Sequence, residues 1–506
     1  MISQATRAAL AAVLLALPAA PAAPPTRAQA ERALRKAVAF FHGTVARHGG
    51  YVWRCSGDLA LREGEGKAGP DVIWVQPPGT PAVGEAFLDA YEATGDPSAL
   101  RAARDAAGAL VRGQLHSGGW QYRIDFSDAG RRQSSYRRDP AGRVLADPTA
   151  PADRTTPGGW HVWRKRRYKA NMALLDDDTT QAALRLLMRV DRALKRADAD
   201  VHEAAEYGLR ALMGAQYPNG AWSHNYDRFP HAPPSERDYP VRPASYPDAW
   251  PRGWPKAFAG CYMLNDNITP DAIRTLLWAW EVYADERYLA AARRGGRFLL
   301  LAQMPDPQPA WAQQYDRAMH PVWDRPFEPP AVSGYESQGV LDCLLALFRA
   351  TGDRTFLQPV PRALAYLRRS LLPDGGLARF YELRTNRPIY FTRGRDGRHV
   401  MTYRREDLAT HYGFVIPSRL DAIEAEYRRL AAIGPGTGAL PIPPADEPPD
   451  PGLAEKVRKA IDALDSRGAW VRPGRLKAHK TQPRSGVIES ATFLTNVRLL
   501  CRFLAP

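Results

Sequence analysis

Three times along this chain a helical pattern runs out into a loop that ends in tryptophan: QLHSGGW ending at Trp120, QYPNGAW ending at Trp222 and QMPDPQPAW ending at Trp311. The tripeptide TGD stands before a helical pattern at Thr94 and again at Thr351, and ADERY from Ala284 plays a similar part. A recurring unit of roughly 40–50 residues is the mark of a repeat architecture, in which each unit buries its apolar face only against its neighbours. Here the unit reads as a helical hairpin with long loops. An even series of such hairpins closed on itself predicts an all-α fold, an α/α toroid or incomplete barrel of helical hairpins with a few short strands. An open solenoid is the alternative.

The helical periods support this. Residues 201–215 place Val201, Ala205, Leu209 and Leu212 on one face, and residues 335–349 do the same with Val340, Leu341, Leu344, Leu345 and Phe348. Residues 270–283 repeat it with Ile273, Leu276, Leu277 and Trp280, after a Thr269 cap and Pro270 in the first helical position. Strand-like alternation is scarce.

A chain of 506 residues can build a large toroid. Its 69 Lys and Arg against 54 Asp and Glu leave a formal charge of +15, which favours an acidic partner. Arg7, the apolar run Ala8 to Ala20 and the small residues Ala28-Gln29-Ala30 read as a signal peptide over 1–30, so the protein is expected to be secreted or periplasmic. No other uncharged run approaches the ~20 residues that span a bilayer, so no membrane span is expected. The toroid is assigned to 31–433, a Pro-rich linker to 434–451 and a helical C-terminal extension to 452–506. With no recognised nucleic-acid module, nucleic acid is not expected as a partner, and a monomer is. Cys55, Cys261, Cys343 and Cys501 fit no zinc spacing; Cys343 and Cys501 fall in helical apolar patterns. Residues 121–170, with RRQSSYRR and RKRRYK, and 223–260, rich in Pro, Tyr and Trp, are long enough to be functional loops.

Four stretches could carry chemistry. DDDTT, Asp176 to Thr180, opens a helix; acids there cap it and complement its dipole, yet three adjacent carboxylates repel, and a hard cation such as calcium resolves that. LNDNIT, Leu264 to Thr269, again precedes a helix, and with Thr269 as cap Asp266 is left for a ligand role. WAQQYDRAMHPVWDRPFEPPAVSGYESQGV, residues 311–340, contains Arg325, for which an ion pair with Asp324 or Glu328 is the structural alternative. The fourth is ARFYELRTNRPIYFTRGRDG, residues 378–397, with five arginines among aromatics and turn formers. It keeps neither a helical nor a strand period for long and reads as a strand-like piece followed by a loop, a fork-lined clamp for polyanions or else a solvated basic loop.

The order ARFYE, TNRPI, GRDG resembles the pectate lyases of polysaccharide lyase family 10, and the likeness covers roughly residues 170–415. DDDTT is similar to the family's DNDAT, with Asp177 where the family has Asn; Asn265-Asp266 matches its FND; AQYPNGAW matches between them. The resemblance implies calcium held by Asp176, Asp178 and Asp266, and substrate binding by Arg325, Arg379, Arg387, Tyr381 and Asn386. It implies an arginine base at Arg395, by the GRDG motif, or at Arg393, by spacing from Arg379, because two extra residues separate TNRPI from GRDG here. The implied reaction is calcium-assisted β-elimination on pectate (polygalacturonate) or a related uronan. An arginine base would make the optimum alkaline.

Other readings remain open on sequence. A glycoside hydrolase of the same fold would use paired carboxylates and water, and a non-catalytic protein could bind polyanions on the same surface. The two QxxxGxW words and the acidic run before Thr are also similar to triterpene cyclases, although an apolar substrate has no use for Arg325, Arg379, Arg387 and Arg395.

Overall fold

Capping chemistry explains the hairpins. The computed structural model describes residues 24–146, 166–227, 234–256, 260–409, 412–433 and 452–505. The described helices are α1 (Arg27–Phe40), α2 (Thr80–Thr94), α3 (Pro97–Gly113), the short α4 (Asp128–Gln133), α5 (Thr179–Ala193) and α6 (Ala199–Gly214). They continue with α7 (Ile268–Tyr283), α8 (Glu286–Leu301), α9 (Gly334–Thr351), α10 (Val360–Arg369), α11 (Leu420–Ala431), α12 (Leu453–Asp462) and α13 (Ser490–Leu504). In each TGD the glycine closes one helix in the left-handed conformation, at φ 68° for Gly95 and 67° for Gly352. The aspartate then caps the next helical turn: Asp96 accepts the N–H of Ser98, and Asp353 that of Thr355. Ala284 and Asp285 do the same work between α7 and α8.

The helices form an α/α toroid. The inner layer runs α13, α2, α5, α7, α9, α11, each packed on the next, and α1, α3, α6, α8, α10 and α12 pack outside them. The tryptophans that end the repeats lock each hairpin to its loop. Trp120, Trp222 and Trp311 are fully buried, and each indole N–H donates at 2.8 Å to a helix carbonyl, Leu110, Leu212 and Leu299 respectively. A fourth such lock, missed in the sequence, is Trp470, donating to Ala460 at 2.7 Å. The first residue of QxxxGxW spans two hairpins: Gln216 donates to the Gly220 carbonyl within its loop and to Ala291 of α8. Gly220 needs to be glycine, since its φ is +97° and a Cβ would meet the Arg294 carbonyl oxygen at 2.0 Å.

Two expectations need correcting. Residues 452–505 are not an appendage to the ring. α13 packs between α1 and α2, and the strand Val487–Glu489 pairs antiparallel with Arg54–Ser56 near the other end of the chain. The 434–451 stretch that suggested a boundary lies outside the described residues. The expected signal-peptide cleavage site, Ala28-Gln29-Ala30, falls in the first turn of α1, where Thr26 and Gln29 form a capping box and Arg27 donates to the Leu504 carbonyl at 2.8 Å. Residues 1–23 lie outside the described residues. Finally, Thr269 does not cap α7, which begins at Ile268; its hydroxyl bridges the Met263 carbonyl and the Trp222 N–H.

Part of the basic 121–170 segment is neutralised within the fold. Arg137 and Arg138 are buried and pair with Glu203 of α6, and Arg138 also with Asp200. The RKRRYK stretch begins outside the described residues.

Candidate functional site

The inner helices α5 and α7 open alike, on Leu174 to Thr180 and Met263 to Thr269. A two-residue strand leads in each time, Ala173–Leu174 paired with Asn225–Tyr226 and Tyr262–Met263 paired with Gln314–Tyr315. Two left-handed residues come next: Asp177 and Asp178 at φ 51° and 58°, Asp266 and Asn267 at 44° and 62°. Asp and Asn tolerate this region better than other side-chain-bearing residues, so local strain here selects the same residue types that bind cations.

The two turns touch. One carboxylate oxygen each from Asp176, Asp177 and Asp266 lies within 4.8 Å of the others. Asp178, expected as a ligand, is outside this cluster. The turn hands it to Arg185, further along α5, in a close ion pair, and its neighbour Asp177 takes the place in the cluster.

Around the three acids stands a shell of donors. Asp176 accepts from the Tyr122 hydroxyl at 2.8 Å and faces the His224 ring at 3.7 Å. His224 is fully buried and meets Asp324 at 2.7 Å. Asp177 accepts from the Gln76 amide at 2.7 Å. Arg325 reaches Asp266 at 3.7 Å and Asn265 at 3.3 Å, while its Nε pairs with Glu328 at 2.7 Å. Arg325 makes the expected ion pair with Glu328 and also lies beside the acid cluster. Arg379 lies 3.9 Å from Asp266 and 3.8 Å from Glu336, sandwiched between the rings of Tyr335 and Tyr412. A third of the Arg325 side chain is exposed (34%) against 9% of Arg379. Arg325 is the one open to a ligand, and Arg379 mainly balances the acids from behind.

The acids are electrostatically divided. Burial raises all three, and the outcome depends on the neighbours. The nearby His224 cation, with Arg325 and the Tyr122 hydroxyl, brings Asp176 down to about 2. Burial, Asp176 and Glu65 lift Asp177 to about 6. Burial, Asp176, Glu336 and Asp177 lift Asp266 to about 8 against the pull of Arg379. Despite burial, Asp324 and Asp176 raise His224 to about 10, so it stands as imidazolium. One Asp176 oxygen, Oδ1, is buried and accepts no hydrogen bond. A crowded set of hard oxygens, one of them lacking a hydrogen bond and one acid kept protonated near neutral pH by burial and its acidic neighbours, fits a divalent cation such as calcium.

The other expected residues lie elsewhere. Tyr381 is buried, its hydroxyl spent on the Ser370 carbonyl at 2.6 Å and the Ala378 N–H at 2.9 Å. Asn386 holds a left-handed turn, bonded to Ser370, Gln308 and Tyr366. Both are structural. Arg387 is exposed and stacks 3.7 Å over Tyr403. Arg393 and Arg395, expected as the base, sit exposed at the end of a hairpin formed by Pro388–Arg393 and His399–Thr402. Neither forms an ion pair with the acid cluster among the described residues. The hairpin is nevertheless next to Arg325: its His399 packs on Phe327, 4.8 Å between centroids, and Arg325 lies over that same ring. From the described part of the Pro/Tyr/Trp-rich segment, Trp254 donates to the Asp324 carbonyl and Arg252 pairs with Glu382. Sequence reasoning missed Tyr122, Gln76, His224 and Glu336, although Tyr122 and His224 each stand two residues past a repeat tryptophan and Glu336 lies within the 311–340 stretch.

No family model and no curated protein matches the sequence. Among solved structures, the chain is similar to a family 10 polysaccharide lyase from Cellvibrio cellulosa at 18% identity and TM-score 0.42, covering 69% of this chain and 98% of that one. It is also similar to a cellobiose 2-epimerase from Bacillus thermoamylovorans at 11% identity and TM-score 0.45, over 94% and 98%. An α-1,6-mannanase from Salegentibacter sp. is similar at 12% identity and TM-score 0.39, over 95% and 100%.

Proposed function

We propose that this protein cleaves an acidic polysaccharide, pectate first, by β-elimination. The observation that carries the reading is the meeting of Asp176, Asp177 and Asp266 with Arg325 and Arg379 in one site. A uronide substrate needs both signs of charge there. Asp176, Asp177 and Asp266 would hold a calcium ion, which when bound supplies positive charge to the substrate carboxylate. Arg325, the more open arginine, takes that carboxylate through the guanidinium nitrogen that Glu328 and Asn265 leave, while Glu328 fixes its orientation. The His224 imidazolium keeps Asp176 ionised, and Arg379 offsets part of the charge around Asp266. With the carboxylate's charge drawn off, the C5 proton becomes easier to remove. A base takes that proton, the C5–H electron pair becomes the C4=C5 double bond, and the C4–O bond breaks. The leaving sugar oxygen keeps its pair and is protonated from water. The family motif gives the base to Arg395, with Arg393 next; the hairpin's packing beside Arg325 supports a place for either.

A second reading rests on the division of protonation among the acids. Asp176 is held ionised and Asp266 protonated near neutral pH, as a glycoside hydrolase's base and acid would be. Ultraviolet absorbance of the unsaturated uronide separates the two. With polygalacturonate at alkaline pH, absorbance should rise with calcium and stop with chelator, and Arg325→Ala should lower the rate about 100-fold or more. New reducing ends without absorbance would favour hydrolysis. A rate untouched by both Arg393→Ala and Arg395→Ala would take the base away from the hairpin.

A further inference from the structure

We infer that a cavity beside the acid cluster, walled by Trp74, Tyr122 and Arg123, is a binding subsite for a further uronide residue of the chain being cleaved; this rests on the lyase reading above. The cavity measures about 400 Å³ and is also lined by Glu65, Lys169 and Leu174, within the range of small-ligand sites. Two of its walls lead to two different cluster acids, Tyr122 directly and Trp74 through Gln76. Tyr122 shows its ring to the cavity and gives its hydroxyl proton to Asp176 at 2.8 Å. Trp74 donates to the Gln76 side chain at 3.0 Å, and Gln76 donates on to Asp177 at 2.7 Å. The cavity therefore continues the cluster and does not stand apart from it.

The backbone fixes its chemistry. Val72–Trp74 pairs antiparallel with Arg123–Asp125, which sets Trp74 directly opposite Arg123. The floor is apolar, made of the buried Trp74, Leu174 and Met172 with Tyr122 packed against them. The rim is charged and exposed: Arg123, Lys169 and, opposing them, Glu65. A pyranose presents the same pair of faces, C–H groups to an apolar floor and polar groups to a rim. Two cations against one carboxylate favour a sugar that carries an acid over a neutral one. The larger cavity of about 700 Å³ lined by His42, Arg104, Asp105 and Arg138 has a rim of mixed charge but lies against α3, α6 and the turn that follows α1, and among the described residues none of these four is bonded to a cluster acid.

The test uses the full chain and the double variant Arg123→Ala/Lys169→Ala, with Arg104→Ala in the larger cavity as control. Both rim side chains are exposed, so the fold should survive their loss. On oligogalacturonides of increasing length, the double variant should lose at least about tenfold in kcat/KM on the longer ones, through KM, with kcat and the shortest cleaved oligomer unaffected. The control should match the parent throughout. Equal kcat/KM at every length would overturn the subsite and leave the lyase reading intact. Should the parent cleave no uronan, the lyase reading falls, and calorimetric binding of a saturated oligogalacturonide decides the subsite. Binding by the parent that the double variant loses would sustain it, and equal binding or none would overturn it.

Discussion

At the scale of residues, the site turns on which of two adjacent aspartates enters it. Asp177 faces the cluster and Asp178 faces Arg185 because both are left-handed. Their neutral variants should therefore diverge. Asp177→Asn should weaken calcium binding about tenfold or more by calorimetry, and Asp178→Asn should leave it within about twofold while lowering the melting temperature, since it takes the carboxylate partner from the half-buried Arg185. The reverse ranking would return Asp178 to the cluster. The acids also make affinity depend on pH. Asp266 holds its proton up to about 8 and Asp177 up to about 6, and a cation must displace those protons to bind. Calcium affinity should then fall as pH drops below 8, by up to about tenfold per unit down to about 6 and more steeply below that, and level off above 8. An affinity flat from pH 6 to 9 would show that neither proton is displaced. The acids themselves were legible in the sequence as helix openings. Their selection was not, because a pair of left-handed residues leaves no mark that distinguishes one Asp from the next.

At the scale of elements, the hairpin locks are the most sequence-legible feature, since caps and Trp sockets are made within one repeat. Each of the three interior tryptophans fills its hairpin completely and satisfies its N–H internally. Trp222→Ala should thus cost about 3–5 kcal/mol in urea unfolding. It sits at the repeat whose loop leads to His224 and Asn225, so metal affinity should fall with stability. Trp222→Phe, which keeps most of the volume and loses only the hydrogen bond, should cost less than half as much. These locks also account for the QxxxGxW words without a cyclase: the Gln and Trp bind carbonyls of the fold itself. The arginine-rich stretch was harder to read. Its period is broken because Arg379 sits between two short strands, Leu377–Ala378 and Phe380–Glu382, while the rest turns back as a hairpin. One word of sequence therefore served three environments: buried clamp, turn and exposed tip.

At the scale of the molecule, closure of the ring is where sequence reading had least purchase, because it depends on contacts between the two ends of the chain. Pro-rich composition around 434–451 suggests a boundary, but composition does not report what the residues beyond it pack on. Phe493, Leu494, Val497, Leu500 and Leu504 of α13 are buried against the first hairpin. At about 1.5–3 kcal/mol each, their burial is comparable to the whole net stability of an ordinary domain. Val487–Glu489 meanwhile supplies the edge partner of Arg54–Ser56, and Glu63 accepts the backbone N–H groups of Lys477 and Ala478 at 3.0 and 2.8 Å. A chain ended at residue 433 would leave the apolar faces of α1 and α2 in water and Glu63 without its two backbone donors, keeping only Arg54. Such a chain should fail to show a cooperative thermal transition, and the full chain should melt in a single one, with fragment 452–506 added in trans restoring at least part of the truncated chain's cooperativity. A truncated chain that melts as sharply as the parent would make the last segment an independent unit, and the toroid would then have to be stable with its first hairpin uncovered.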